Sequence, residues 1–133
     1  MKRSLCVLSV SLLVGFAAGC ADKHEKNQGR LVSLLKELNG VLETISDKAS
    51  LEAGLPELER VCDRIRVNLR ERDEMGDPPK ERGSRLAERF GPLLREQSHI
   101  MGRHMARIHK IDADDQPLRA RRFQAMQDIP PEF

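Results

Sequence analysis

The feature that most restricts the fold is a regular series of apolar residues between positions 51 and 69. They recur at alternating intervals of four and three, as Leu51, Leu55, Leu58, Cys62, Ile65 and Leu69. This spacing places all of them on one side of an α-helix and does not fit the two-residue period of a strand. Because such a helix needs other helices to cover its apolar side, the pattern predicts a helical bundle.

Two further apolar stripes predict the helices that complete the bundle. The first helix carries Leu31, Leu34, Leu35, Leu38, Val41, Leu42 and Ile45. The third, over about 79–110, carries Leu86, Phe90, Leu93, Leu94, Met101, Met105 and Ile108. Gly91-Pro92 lies within it and predicts a kink. The expected fold is therefore all-α, a small up-down-up bundle of three antiparallel helices over residues 30–112.

The C-terminal residues 113–133 show a different pattern. Aspartates and prolines recur there, and apolar residues are sparse. Such a composition favours turns over long helices. We therefore expect a loose tail with at most one short helix, at about 117–126.

The N-terminus has the layout of an export signal. Met1-Lys2-Arg3 is positively charged, and residues 5–18 carry no charge. This apolar stretch of about 14 residues would extend roughly 21 Å as a helix, which is short of the ~30 Å hydrocarbon core of a bilayer. The pattern is typical of a signal peptide. It predicts that residues 1–19 are removed during export.

The end of this segment, Ala17-Ala18-Gly19-Cys20, resembles the lipobox of bacterial lipoproteins. The resemblance implies a diacylglyceryl group on the thiol of Cys20 and acyl chains such as palmitate that anchor the protein to a membrane. Residues 20–29 are polar and would then form a flexible tether. Because Ala21 follows the cysteine and Asp22 comes second, the resemblance favours the outer membrane over the inner one in bacteria that have two.

Composition narrows the function of the chain after the signal. Removing Lys2 and Arg3 from 23 basic and 21 acidic residues leaves 21 of each, and this balance argues against nucleic-acid binding. The remaining aromatic residues are Phe90, Phe123 and Phe133, too few for base stacking or a cation cage. With Cys20 lipidated, Cys62 is the single remaining cysteine, and we expect it to be a core side chain.

A methionine and histidine stretch at residues 99–109 supports two interpretations. Met101, Met105 and His109 lie four residues apart and share one helix face, and thioether and imidazole groups suit Cu(I). Met101 and Met105 also belong to the apolar stripe, so packing is the simpler interpretation. Covalent haem attachment is not expected, because no Cys-x-x-Cys-His motif is present.

Arginines on the second and third predicted helices form a candidate partner surface. The set is Arg60, Arg64, Arg70, Arg85 and Arg89. Clustered guanidinium groups attract anionic lipid head groups. The alternative is an ordinary solvated face, in which neighbouring acidic residues pair with the arginines along each helix.

The sequence carries no motif of a known catalytic class, and we expect no enzyme activity. The first functional hypothesis is a membrane-anchored envelope lipoprotein whose bundle is a non-enzymatic interaction or assembly module. The alternative is a small periplasmic protein that binds a metal or ligand through Met101, Met105 and His109. No cofactor is expected apart from the lipid. A small bundle gains stability from a homodimer or an envelope protein partner, and the 51–69 stripe is the expected contact.

Overall fold

The computed structural model describes the backbone of residues 15–133 and the side chains of residues 23–133. Its elements are α1 (Gly15–Glu43), α2 (Lys48–Met75), α3 (Lys80–Ile111) and α4 (Gln116–Ala125), with no strand in the described part of the chain. Helix α1 packs against both α2 and α3, and α4 packs against α2. The all-α prediction is confirmed. None of the described helices is both long and apolar enough to cross a membrane.

The predicted stripes form the hydrophobic core. Leu38 and Leu42 of α1 and Leu58 and Ile65 of α2 have no exposed surface, and Ile108 of α3 is equally buried. The stripe at 51–69 therefore packs against the rest of its own chain. Helix α1 packs against it, and pairing of the protein with a second chain stays a prediction.

Helix α2 begins with a reciprocal pair of hydrogen bonds. The Asp47 carboxylate accepts from the backbone N–H of Ser50 at 2.7 Å, and the Ser50 hydroxyl accepts from the backbone N–H of Asp47 at 3.0 Å. This capping box satisfies N–H groups that the first helical turn leaves unpaired. Pro56 lies inside the helix on its exposed side, and α2 continues through it.

Residues 20–29 are helical, and the prediction of a flexible tether there is wrong. They belong to α1, and the Asn27 side chain is buried. Asn27 and Asn68 each donate a side-chain hydrogen bond to the other's backbone carbonyl, at 3.0 and 3.2 Å. These bonds hold the first half of α1 against the C-terminal part of α2. Most of the predicted signal segment, and the side chain of Cys20, lie outside the described residues.

Helix α3 is continuous through Gly91-Pro92, so the helix is not split at that point. Its stripe is interrupted between Leu94 and Met101, where Gln97 is buried. The Asn39 side chain of α1 donates to both the backbone carbonyl and the side-chain oxygen of Gln97, each at 3.0 Å. A polar contact therefore fills the gap in the apolar stripe.

The C-terminal residues 113–133 are docked on the bundle. The short helix expected there is present as α4. The prediction that the rest is loose is wrong, because buried polar contacts hold the segment. Arg122 donates to both carboxylate oxygens of Asp112, at 2.6 and 3.2 Å, with both side chains almost fully buried. Arg66 of α2 donates to the Ala125 carbonyl at 2.7 Å.

Candidate functional site

An open apolar groove lies between the second half of α3 and the C-terminal segment. Its volume is about 570 Å³. We call it the methionine groove, and its lining residues are Met101, Met105, Arg122, Phe123, Gln124, Met126, Gln127, Ile129 and Pro131. Methionine side chains are flexible and polarisable, so such a surface adapts to apolar partners of different shapes. Phe123 leaves 56% of its surface exposed, which makes it the most exposed large apolar side chain described.

The walls of the groove are held by contacts on both sides of α4. At its start, the Asp115 carboxylate accepts from the backbone N–H of Leu118 at 3.1 Å, and Leu118 is buried. On its inner side, the Arg122–Asp112 pair ties α4 to the end of α3. Beyond it, the backbone N–H of Phe133 donates to the Ser98 hydroxyl at 3.2 Å. The groove is therefore a product of tertiary contacts between segments distant in sequence.

The structure separates the residues of the proposed copper site. Met101 is buried, Met105 is half-buried, and both line the methionine groove. His109 is exposed and does not line it. Met126 contributes a third thioether from the C-terminal segment, which the spacing on one helix did not indicate. Within residues 23–133, no group of three or more His, Cys, Asp or Glu side chains is arranged to hold a metal ion.

Two of the predicted surface arginines are paired with acidic side chains. Arg60 and Arg64 both contact the Glu37 carboxylate of α1, at 2.9 and 2.7 Å. Arg60 also pairs with Glu57 along its own helix and holds the pKa of that carboxyl below its usual range. These charges are locally compensated. The pattern is that of a solvated helix face, which was the alternative interpretation.

The other three arginines of the set lie nearer the start of α1 and the α2–α3 connection. Arg89 pairs with Glu25 of α1 and stacks over Phe90, with its guanidinium carbon 5.1 Å from the ring centroid. Arg70 and Arg85 are exposed and form no ion pair with any residue whose side chain is described. Within this set, they are the arginines whose charge remains available to a partner.

The Cys62 thiol is buried in the core, as expected. Burial raises its pKa to about 11, whereas an ordinary cysteine has a pKa near ~8.5. We therefore expect native protein at pH 8 to leave Cys62 unmodified by iodoacetamide, because little thiolate forms and the sulfur is inaccessible. Peptide mass spectrometry locates the label, and protein unfolded in urea is the control. Rapid labelling of Cys62 in native protein would contradict its placement in the core.

Arg107 of α3 supplies hydrogen-bond donors to backbone carbonyls near the end of α1. It donates to the Leu42 carbonyl at 2.8 Å and also to the Ile45 carbonyl. Leu42 belongs to the last turn of α1, where a helix leaves acceptors without partners, and Ile45 lies two residues beyond the end of the helix. The Arg107 guanidinium also lies 3.3 Å from Nδ1 of His104. The pKa of His104 is lowered, first by burial and then by the positive charge of Arg107.

This arrangement predicts a pH effect on stability. Histidine in the unfolded chain titrates near ~6.5. Since the folded pKa of His104 is lower, the unfolded state binds more protons between the two values, and stability falls as pH drops below about 6.5. An NMR titration of His104 should show a midpoint below that of free histidine. Arg107→Met should raise the midpoint only in part, because burial is the larger cause. A midpoint above ~6.5 would contradict this account.

The chain was compared with known proteins in three ways. No protein-family model, curated protein or solved structure matches it. The features of this chain that bear on its function are the lipobox-like motif at residues 17–20 and the methionine groove.

Proposed function

We propose that the protein is a lipid-anchored envelope protein that binds an apolar segment of a partner protein in the methionine groove, without enzyme activity. The observation that carries the proposal is the character of this groove. Its walls are mainly apolar, and its one ionic side chain, Arg122, is already paired with Asp112. Catalytic sites bring reactive or titratable groups to the substrate, whereas contact surfaces present apolar and aromatic side chains around an anchor such as Phe123.

The anchor in this proposal is the lipid on Cys20. The lipobox-like Ala17-Ala18-Gly19-Cys20 supports it, and two or more acyl chains provide stable attachment to a bilayer. Ala21 after the cysteine favours the outer membrane. The balanced charge of the exported chain agrees with a protein partner and gives no support for nucleic-acid binding.

We further propose that the first three helices run up-down-up, with a bend in α3 at Gly91-Pro92. Along α1 and α2 the residue numbers of contacting pairs run in opposite directions, because Asn27 contacts Asn68 and Glu37 contacts Arg64. Along α1 and α3 they run in the same direction, because Glu25 contacts Arg89 and Asn39 contacts Gln97. Pro92 removes one backbone donor, which favours a bend.

In this arrangement the groove lies away from the membrane. On α3, Met101 and Met105 lie between Gln97 and Arg107. Gln97 contacts Asn39 of α1 and Arg107 contacts Leu42 of α1, so the groove is level with this part of α1. About 20 residues separate this level of α1 from Cys20, or roughly 30 Å of helix. That distance exceeds the head-group region, so the groove would be accessible to another protein.

The test is site-specific photo-crosslinking in intact envelopes of cells that produce the full chain. A photoreactive residue replaces Phe123 in one variant and Val67, which is 49% exposed on α2, in the matched control. We expect one defined protein adduct from position 123 and none from position 67. Added protein with Phe123 intact should compete for the adduct, and Phe123→Ser protein should not. Equal adducts at both positions, or none, would contradict the groove as the contact surface.

Anchoring is tested separately. Metabolic acyl labelling of the full chain should mark the protein in the membrane fraction, and Cys20→Ala should remove both the label and the membrane association. Label that persists in Cys20→Ala would contradict lipidation at this residue. Loss of anchoring leaves the crosslinking result interpretable, because the groove does not involve Cys20.

A second candidate function is Cu(I) binding in the same groove. The observation that favours it is the presence of Met126 beside Met101 and Met105. Three thioethers suit a soft cation. Competition with a Cu(I) chelator should show stoichiometric binding that Met105→Leu and Met126→Leu weaken and His109→Ala leaves unchanged. An equal loss with His109→Ala would instead support the site predicted from the helix spacing, and no binding would exclude copper.

A further inference from the structure

A second cavity, of about 580 Å³, lies between the first half of α1 and the connection from α2 to α3. Its apolar side is formed by Leu86, Phe90, Leu94 and the C-terminal Phe133. Phe90 and Leu94 belong to the hydrophobic core, so this side is continuous with the bundle interior. The cavity therefore offers an apolar surface to a ligand that enters there.

The cavity lies close to the proposed lipid anchor. His24 of α1 lines it, and only four residues separate His24 from Cys20. Four residues span at most about 14 Å even when fully extended. If Cys20 carries the proposed lipid, the cavity must therefore lie at the membrane surface. This step rests on the proposed function, whereas the chemistry of the cavity does not.

The polar side of the cavity carries both signs of charge. Arg72 provides a cation, and Asp73 and Asp77 provide carboxylates. Arg72 and Asp73 lie 3.7 Å apart, and their side chains are 42% and 76% exposed. Guanidinium groups bind phosphate, and carboxylates bind ammonium groups. The cavity thus combines an anion-binding group, cation-binding groups and an apolar wall.

Gln28 also lines the cavity. Its side-chain oxygen is buried and accepts no hydrogen bond from any described residue. A buried acceptor without a donor is unfavourable, and native structures rarely keep one. If the Gln28 side chain rotates toward the cavity, a ligand that carries N–H donors would satisfy this oxygen.

We propose that this cavity binds one bilayer phospholipid with a primary ammonium head group, of the phosphatidylethanolamine type. Arg72 binds the phosphate, Asp73 and Asp77 bind the ammonium group, and the Gln28 oxygen accepts one of its hydrogens. One acyl chain lies against Phe90 and Leu94. A choline head group lacks N–H donors, and a glycerol head group lacks the positive charge, so both should bind less well.

The experiment is native mass spectrometry of the full processed protein, purified from membranes in mild detergent. Phosphatidylethanolamine, phosphatidylcholine and phosphatidylglycerol are added separately at equal concentrations. We expect one phosphatidylethanolamine per chain, bound at least about tenfold more tightly than the other two. Arg72→Gln should weaken it by about tenfold, as expected for loss of one charge-assisted hydrogen bond. Arg70→Gln is the matched control, because Arg70 is exposed on the same helix and does not line the cavity.

Equal binding of the three lipids, or equal effects of Arg72→Gln and Arg70→Gln, would overturn the proposal. If the Cys20→Ala variant bound added lipid and the lipidated protein did not, the protein's own acyl chain would fill the cavity. That result would also overturn the proposal. The mass of the purified chain reports separately whether Cys20 is lipidated. An unlipidated chain that still selects phosphatidylethanolamine would refute the anchor and keep the cavity assignment.

Discussion

Replacing Asp112 by alanine should lower the free energy of unfolding by about 3–5 kcal/mol. The change removes one member of a buried ion pair and leaves the Arg122 guanidinium, which is 2% exposed, without a counter-charge. The cost comes mainly from this uncompensated charge, because a buried ion has lost its hydration. Urea denaturation followed by far-UV circular dichroism measures the change. The C-terminal segment should be released at the same time, and the methionine groove with it.

Two further variants separate the ion pair from a general effect of substitution. Asp114→Ala alters an exposed carboxylate two residues away, which pairs with Lys48 on the surface, and it should leave the unfolding midpoint nearly unchanged. The double variant Asp112→Leu with Arg122→Met removes both charges and should recover most of the lost stability. If Asp112→Ala were as stable as Asp114→Ala, the pair could not be the main attachment of the C-terminal segment.

The apolar pattern predicted the existence of the three long helices, although not where α1 begins. Leu38, Leu58 and Ile108 lie on three separate stripes, and each is fully buried. Helical spacing is a local property, because each apolar side chain is placed relative to its neighbours three and four residues away. The same pattern could not tell which surface covers each stripe. It therefore left open whether the 51–69 stripe faces another helix of the chain or a second chain, and in the structure α1 packs against it.

Polar contacts between distant residues were not predictable from the sequence. Asn27 bonds to a residue 41 positions away, and Asn39 to one 58 positions away. A polar stretch that contains an asparagine has the composition of a flexible tether. The sequence does not show which distant residue the asparagine contacts, and therefore does not show that it is buried. Arg122 likewise looks like a surface residue until Asp112 is placed beside it. The tether and the loose tail were both wrong for this reason.

The residues of the candidate site were also only partly predictable from the sequence. The shared face of Met101 and Met105 followed from their spacing, and the structure places both on one groove. Met126 reaches this groove because α4 docks through the buried Arg122, which no spacing rule indicates. His109 lies one helical turn beyond Met105, but its side chain is exposed. A helix face therefore predicted only part of the site.

Replacing Leu58 by alanine should lower the free energy of unfolding by about 2–5 kcal/mol. Leu58 lies at the centre of the 51–69 stripe and has no exposed surface. The substitution removes buried methyl groups and leaves a cavity between α1 and α2. Leu93→Ala is the matched control, because Leu93 is 38% exposed on α3 and should cost much less.

The concentration dependence of this effect distinguishes burial within one chain from burial between chains. When a stripe is covered by its own chain, the unfolding midpoint is independent of protein concentration, whereas a stripe covered by a second copy is stabilised by mass action. We therefore expect the loss in Leu58→Ala to be the same at dilute and at concentrated protein. If the wild-type midpoint instead rose with concentration and Leu58→Ala abolished that rise, the stripe would be an interface between copies. In that case the stripe would be buried mainly by the second copy and not by α1.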